Sequence, residues 1–493
     1  MAPPLADTRN PLTARTAGTE FHTLDPGNMH TEEDDMDTTS PATSISGVVP
    51  RLAVKADHIP RSETGIGALM PWADRLWMIT YVAHTNNTGG GTGLFTIDDD
   101  LVMVKHPASR VGTYANRLVH HESDQLFIGP HVINAEGKVS TVEGLVAHRL
   151  TATARHLTDP ANKVYMLGME GEFFEVDVHT LEVTQLFDLL DVLDVKDAPH
   201  FKDMYTRHGR VVVANNSYYP RDFERGHSDG RLAEWDGQEW RVLARTQFNT
   251  LASANGMGEA LYAVGQDRAS ALFHVYLPDT GWKVYRLPKS THTQDHAWTT
   301  EWPRIREVES ERLLMDASGM FYELPSLTYG NAVWGIRPIS SHLRIVGDFC
   351  SWNGLLVMAG DQTTPIFDAN PVAGQPQAGL WFGKTDDLWS WGKPQGWGGP
   401  WWDTQVEARI PSDPFLMTGF EHKCLHVSHE AGTAVDFGIE VDFRGTGEFR
   451  HYRTISVEAR GYESLVFPTG FSAHWVRIVP SAACRATAQF VYT

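Results

Sequence analysis

A strand–turn–strand pattern recurs along most of this chain, and few folds can absorb such a repeat. From Arg75 onward, short apolar runs rich in β-branched and aromatic residues alternate with turn signals, and no long helical period competes with them. Arg75–Val82 is followed by Gly93–Asp98, and Gln125–Gly129 by a turn at Ala135–Lys138. Lys163–Gly168 leads into Glu172–Asp177, Arg210–Asn215 into Arg231–Trp235, and Ala260–Gly265 into Ala271–Tyr276. Arg312–Asp316 leads into Gly319–Leu324, and Gly354–Gly360 into Gly379–Gly383. Each unit reads as an apolar inner strand followed by a hairpin, and seven such units fall between Arg75 and Gly398. A sandwich would also supply many short strands. The repeated order of apolar strand and hairpin favours a β-propeller, whose blades repeat around a central channel.

The expected fold is therefore all-β, a seven-bladed β-propeller over 47–398 with a C-terminal β-rich extension over 399–493. In that extension the rhythm changes, so it reads either as a small β module or as strands that close the ring. Residues 1–46 are rich in Thr, Pro, Asp and Glu, include the acidic run Glu32–Asp35, and read as disordered.

The formal charge of −20 argues against a nucleic-acid partner, for which a basic face supplies most of the affinity. It leaves room for an acidic glycan, because a few Arg, Lys and His can build a basic pocket inside an acidic protein. Cys350, Cys424 and Cys484 are too few and too scattered for a disulfide framework or a zinc site. No run approaches the roughly 18 apolar residues of a membrane helix. No charged stretch followed by an apolar core opens the chain, so the sequence as given points to the cytoplasm, with secretion open if the native start differs.

Polar residues cluster beside the repeated strands. His84 follows the first apolar run, and His106, Arg117, His120 and His121 flank the second. His200, Lys202 and Tyr205 precede the fourth, with Tyr218, Tyr219 and Arg221 after it. His292, His296, Glu301, Arg304 and Arg306 precede the sixth. A lone histidine beside a strand is more often a hydrogen-bonded structural residue than a catalyst, and only the recurrence lowers that reading. Such a set without an obvious carboxylate pair suits β-elimination at a uronic acid. Arg or Lys neutralises the carboxylate, a His or Tyr takes the C5 proton, and a second protonates the oxygen leaving C4. Glycoside hydrolysis would want two Asp or Glu at a set separation, and carboxylates such as Glu301 keep it open. Gly89–Gly93 lacks the Lys of a phosphate loop and reads as a flexible connection. Trp397, Trp401 and Trp402 would stack on sugar rings or pack between strands.

Three longer stretches carry a family resemblance. Gly112–Arg117 with His120–Pro130, His200–Tyr205 with Val211–Asn216, and His296–Arg306 are similar to the seven-bladed propeller enzymes of the L-rhamnose-α-1,4-D-glucuronate lyase group. That group is related to ulvan lyases and to a propeller α-L-rhamnosidase family. The resemblance extends over 47–493. It implies a lyase that cleaves terminal rhamnose–glucuronate linkages on arabinogalactan side chains. Tyr205 and Arg221 stand sixteen residues apart, as a Tyr and Arg do in the ulvan lyases. The resemblance thus implies Tyr205 with His84 or His106 in proton transfer and Arg221 on the uronate carboxylate. Arg117, His120, His200, Lys202, His296, Glu301 and Arg304 would bind substrate. No cofactor is required for this chemistry, although a His-rich channel could hold a structural metal ion. Hydrolysis of the same linkage is the rival reading, with His58 raised by the related rhamnosidases. A non-catalytic glycan- or protein-binding propeller is the third.

Overall fold

The computed structural model describes residues 47–48, 52, 54–55, 63–82, 91–196, 198–217, 229–253, 260–291, 303–309, 312–325, 332–343, 345–360, 362–363 and 377–493. The chain divides into Met1–Ser44 and Ile45–Thr493, and all described residues belong to the second unit. His58, His84, Tyr218, Tyr219, Arg221, His292, His296 and Glu301 lie outside the described residues.

The described chain is all-β apart from short helical turns, and its sheets repeat one plan. Four consecutive antiparallel strands form each blade. Glu63–Trp72, Arg75–Val82, Leu94–Ile97 and Met103–Lys105 pair in that order, as do Arg117–His120, Gln125–Ile128, His131–Asn134 and Val139–Thr141. The same order holds for the sheets that open with Leu150–Arg155, Phe201–Arg207, Gln247–Ser253 and Arg304–Glu309. A further sheet opens with Val346–Trp352 and continues through Leu355–Gly360 to Gln377–Gly383. There the N-terminal strand Gly47–Val48 completes it, pairing Gly47 with Phe382 and Val48 with Trp381. The opening strands adjoin one another in sequence, and Val346–Trp352 adjoins Glu63–Trp72. The sheets therefore close into a β-propeller around a channel, with the ring sealed by residues from near the start of the described chain.

The apolar runs seen in the sequence are not the innermost strands. Lys163–Gly168, Arg210–Asn215, Arg312–Ala317 and Leu355–Gly360 are each second in their sheets, and all but the first residue of each is buried. Adjacent blades cover both faces of these strands, so they carry continuous apolar runs rather than an alternation. The true innermost strands face the channel on one side and mix Arg, Asp, Thr and Tyr with apolar residues. Most also carry a register shift, as at Ile66/Ala68, Leu150/Ala152, Phe201/Asp203, Phe248/Thr250 and Val346/Phe349. A bulge breaks the period of two and hides a strand from pattern reading.

Two of these bulges depend on glycine. A Cβ on Gly67 would sit 2.1 Å from the Tyr114 carbonyl oxygen, and one on Gly347 would sit 2.2 Å from that of Ile66. Neighbouring blades thus approach backbone to backbone at the channel wall. Gly347→Ala is expected to lower stability by about 1–3 kcal/mol, the usual cost of overpacking. A thermal melt reads this, and an unchanged midpoint would contradict the close approach.

The C-terminal segment forms eight strands packed on the blades. Strands Gly396–Val406, Cys484–Tyr492, Lys423–His429 and Tyr462–Val466 make one sheet in that spatial order. Phe415–Leu416, Trp475–Pro480, Val435–Asp442 and Arg450–Val457 follow in that order as an extension of the sheet that opens with Gln247–Ser253, where Phe415 pairs in parallel with Arg286. Numbered within the module, these orders are 1-8-3-6 and 2-7-4-5, the arrangement of a jelly roll. Its core residues Phe415, Phe437, Trp475 and Phe490 share one buried cluster with Tyr262, Phe273, Met315 and Tyr322 of the blades. Main-chain bonds between Lys289 and Trp397 fix the junction. Trp401 is buried in this core, whereas Trp402 is exposed beneath the Arg268 guanidinium.

Candidate functional site in the central channel

The innermost strands enclose a cavity of about 570 Å³. Its wall includes Arg117 and His121 from one blade, Arg155 from the next, and Asp203, Tyr205 and Arg207 from a third. Leu251–Ser253 and Arg304–Glu307 complete much of the remainder. A cavity of this size is in the range of small-molecule sites.

A buried charge cluster organises the wall. Asp348 is fully buried; one carboxylate oxygen lies 2.8 Å from Arg117 Nε and the other 2.8 Å from Arg306 Nε. Its Oδ2 also accepts the Leu69 backbone N–H at 2.8 Å. Burial pushes the Asp348 carboxyl up, but Arg117, Arg306 and Arg304 outweigh it and hold the group below the usual aspartate value. Arg304 is buried behind this cluster and donates from Nε to the Gly347 carbonyl at 3.0 Å. Burial, then the charge of Arg306, pushes its guanidinium down to about 10.

Asp203 stands in the equivalent place on its own blade. Its Oδ2 accepts from Thr250 Oγ1 at 2.9 Å and from the Leu251 N–H at 2.8 Å, so it pins the next blade as Asp348 does. Here burial dominates and the carboxyl is raised, despite nearby Arg304. Three guanidinium groups, Arg117, Arg304 and Arg306, thus face one firmly ionised carboxylate and one whose ionisation is opposed. The channel is locally cationic within an acidic protein.

Tyr205 presents its phenol in this cavity, with the hydroxyl 3.3 Å from the Ser253 carbonyl. Burial raises its pKa above the ordinary tyrosine value. The phenol therefore keeps its proton at neutral pH.

Of the described residues singled out from the sequence, Arg117, His121, Tyr205, Arg304 and Arg306 line this cavity. Three of the residues singled out from the sequence are buried or lie at a blade edge. His120 is fully buried between Ser123 Oγ at 2.6 Å and the Pro160 carbonyl at 2.7 Å, and cannot reach a substrate. His106 follows Met103–Lys105, the outermost strand of its blade, and packs on Trp77 with ring centroids 5.7 Å apart. Arg304 is 2% exposed and lies within the wall. His200 immediately precedes Phe201–Arg207 and Lys202 lies near its start, both outside the residues that line the cavity. His200 Nδ1 lies 2.6 Å from Asn216 Oδ1, and burial, then the Lys202 charge, drives its pKa well down.

Asp203, Asp348, Arg155 and Arg207 escaped the sequence reading. The signal was present in Lys202-Asp203-Met204 and Gly347-Asp348-Phe349, where an Asp follows the bulged residue of an innermost strand. Among the described residues no group of three or more His, Cys, Asp or Glu could hold a metal ion. No described helix is long and apolar enough to cross a membrane.

No family model matches the chain. No curated protein matches it either. Solved structures do. The structure of U3-55K is similar at a TM-score of 0.40 and 9% identity, covering 68% of this chain and 100% of that one. The RRP9 WD40 repeats are similar at 0.40 and 10%, covering 69% and 100%. The Myceliophteria thermophila Cps50 (Swd1) β-propeller domain is similar at 0.39 and 11%, covering 67% and 98%. At these scores the likenesses carry no argument about function, and the fold assignment rests on the strand pairing.

Proposed function

We propose that this chain is a seven-bladed propeller whose channel binds the uronate end of a glycan and cleaves a rhamnose–glucuronate linkage by β-elimination. Seven consecutive sheets, opening with Glu63, Arg117, Leu150, Phe201, Gln247, Arg304 and Val346, support that blade count. One observation carries the chemical reading: a protonated phenol, Tyr205, shares a cavity with the guanidinium groups of Arg117 and Arg306.

Elimination needs the C5 proton made acidic, and a cation on the adjacent carboxylate does this by stabilising the enolate-like charge that develops there. Arg117 and Arg306 fit that task, since Asp348 fixes one edge of each and holds both in the wall. Tyr205, kept protonated by burial, is the acid that delivers a proton to the departing oxygen. A raised phenol is a poor resting base, so the base is another residue. His121, exposed and lining the same cavity, is the described residue suited to take the C5 proton. The bond from C4 to oxygen then breaks as the C4–C5 double bond forms.

A second reading is hydrolysis of the same linkage, favoured by the raised carboxyl of Asp203 two residues from Tyr205. The masses of the products separate the two. Elimination yields an unsaturated uronate lighter by one water than the product of hydrolysis. Incubation with a rhamnosyl-glucuronate oligosaccharide followed by mass spectrometry is expected to give the lighter product. The heavier product would overturn elimination in favour of hydrolysis, and intact substrate would point to a binding propeller.

A further inference from the structure

The jelly-roll module carries a cleft that the channel chemistry does not use. Its volume is about 340 Å³, and it is lined by Asp403, Ser428, Arg460, Tyr462, Arg485 and Thr487 among others. We infer that this cleft is a second glycan-binding site, which takes a uronate-bearing sugar of a long substrate while the channel engages its end. The cleft stands on its own geometry; only the choice of a uronate glycan rests on the lyase reading.

Strand pairing aligns the floor. Ser428 lies opposite Thr487 on one side and opposite Tyr462 on the other, so two hydroxyls and an aromatic ring fall in one row. Tyr462 is 58% exposed, a large exposure for an aromatic side chain with no burial to gain. Its hydroxyl lies 2.7 Å from His426 Nδ1 and the two rings stack, which holds the phenyl face in one orientation. A fixed, exposed ring is the platform on which the C–H face of a pyranose packs.

The polar groups are equally ordered. Arg485 donates from Nε and Nη2 to the two oxygens of Asp403, and the Asp403 N–H donates to Thr487 Oγ1 at 2.8 Å. This leaves a rigid charged pair beside the ring, able to donate to and accept from sugar hydroxyls. Arg460 also lines the cleft, is exposed, and forms no ion pair among the described residues. It is the natural partner of a sugar carboxylate. A cleft lined so largely by hydroxyl and charged groups does not suit an apolar peptide face.

The test uses the full chain carrying Tyr205→Phe, so that polysaccharide is not consumed. Migration in native gels containing a glucuronate-bearing arabinogalactan should be retarded. Adding Tyr462→Ala or Arg460→Gln should weaken retardation about tenfold in apparent affinity, the scale of one lost stacking or charge-assisted contact. In the otherwise unaltered protein, the same cleft variants should leave cleavage of a short oligosaccharide unchanged. Equal retardation with and without the cleft substitutions would overturn the inference while leaving the channel reading intact. So would the absence of any retardation, since the product-mass assay tests the channel separately.

Discussion

Tyr205→Phe is expected to lower turnover by ~10²–10⁴-fold, the range that a positioned proton donor supplies. The substitution keeps the ring and deletes only the hydroxyl. That hydroxyl makes one long bond, 3.3 Å to the Ser253 carbonyl, so the blade junction loses little when it goes. The melting curve should therefore be close to that of the parent chain. Arg117 and Arg306 are untouched, so KM should hold while kcat falls. Near-normal turnover would remove Tyr205 from proton transfer. A parallel rise in KM would instead make it a binding group.

Asp348→Asn is the second large effect, and it is read first in stability. The carboxylate is fully buried and serves two guanidinium groups and one backbone N–H. Removing its charge leaves Arg117 and Arg306 facing Arg304 with only Asp203, whose ionisation is opposed by burial, nearby, and breaking a buried pair in this way costs on the order of 3–5 kcal/mol. The pH dependence has a definite sign. Its folded pKa lies below the ordinary aspartate value of 3.8, so its stabilisation is complete above that value and is lost as pH falls through the folded one. The asparagine variant should melt well below the parent at neutral pH, and the gap should narrow under acid. A gap that does not change with pH would mean that packing, and not charge, holds this part of the wall.

The same cluster shows what a sequence can reveal about such a fold. The repeat was legible because second strands such as Val211-Val-Val-Ala and Leu355-Leu-Val-Met are buried on both faces and read as apolar runs. The channel wall was not legible in that way. Phe201–Arg207 and Arg304–Glu309 carry bulges and polar channel faces, so they lack both the apolar run and the clean alternation. Tyr205, Arg117 and Arg304 were found by residue type and resemblance, yet their place on innermost strands was not. Asp348 stayed hidden because its partners lie far away in sequence, on other blades. The closure by Gly47–Val48 was equally hidden, since a two-residue strand leaves no pattern. The break in rhythm after Gly398 was visible. Its meaning, an eight-stranded jelly roll, needed the pairing of Gly396–Val406 with Cys484–Tyr492.

His106 and His120 mark the other boundary. Both are the residue type that uronate chemistry asks for, and both stand beside the expected strands. Side-chain direction decides their role, and it turns His120 into the core and leaves His106 at the blade edge.

The central claim is that the channel performs elimination on a uronate. The most direct measurement follows absorbance near ~235 nm, where the conjugated product of C5 deprotonation absorbs, while the chain acts on a rhamnosyl-glucuronate oligosaccharide. The account predicts a rise that tracks rhamnose release and disappears in Tyr205→Phe. Rhamnose release with a flat trace would contradict it.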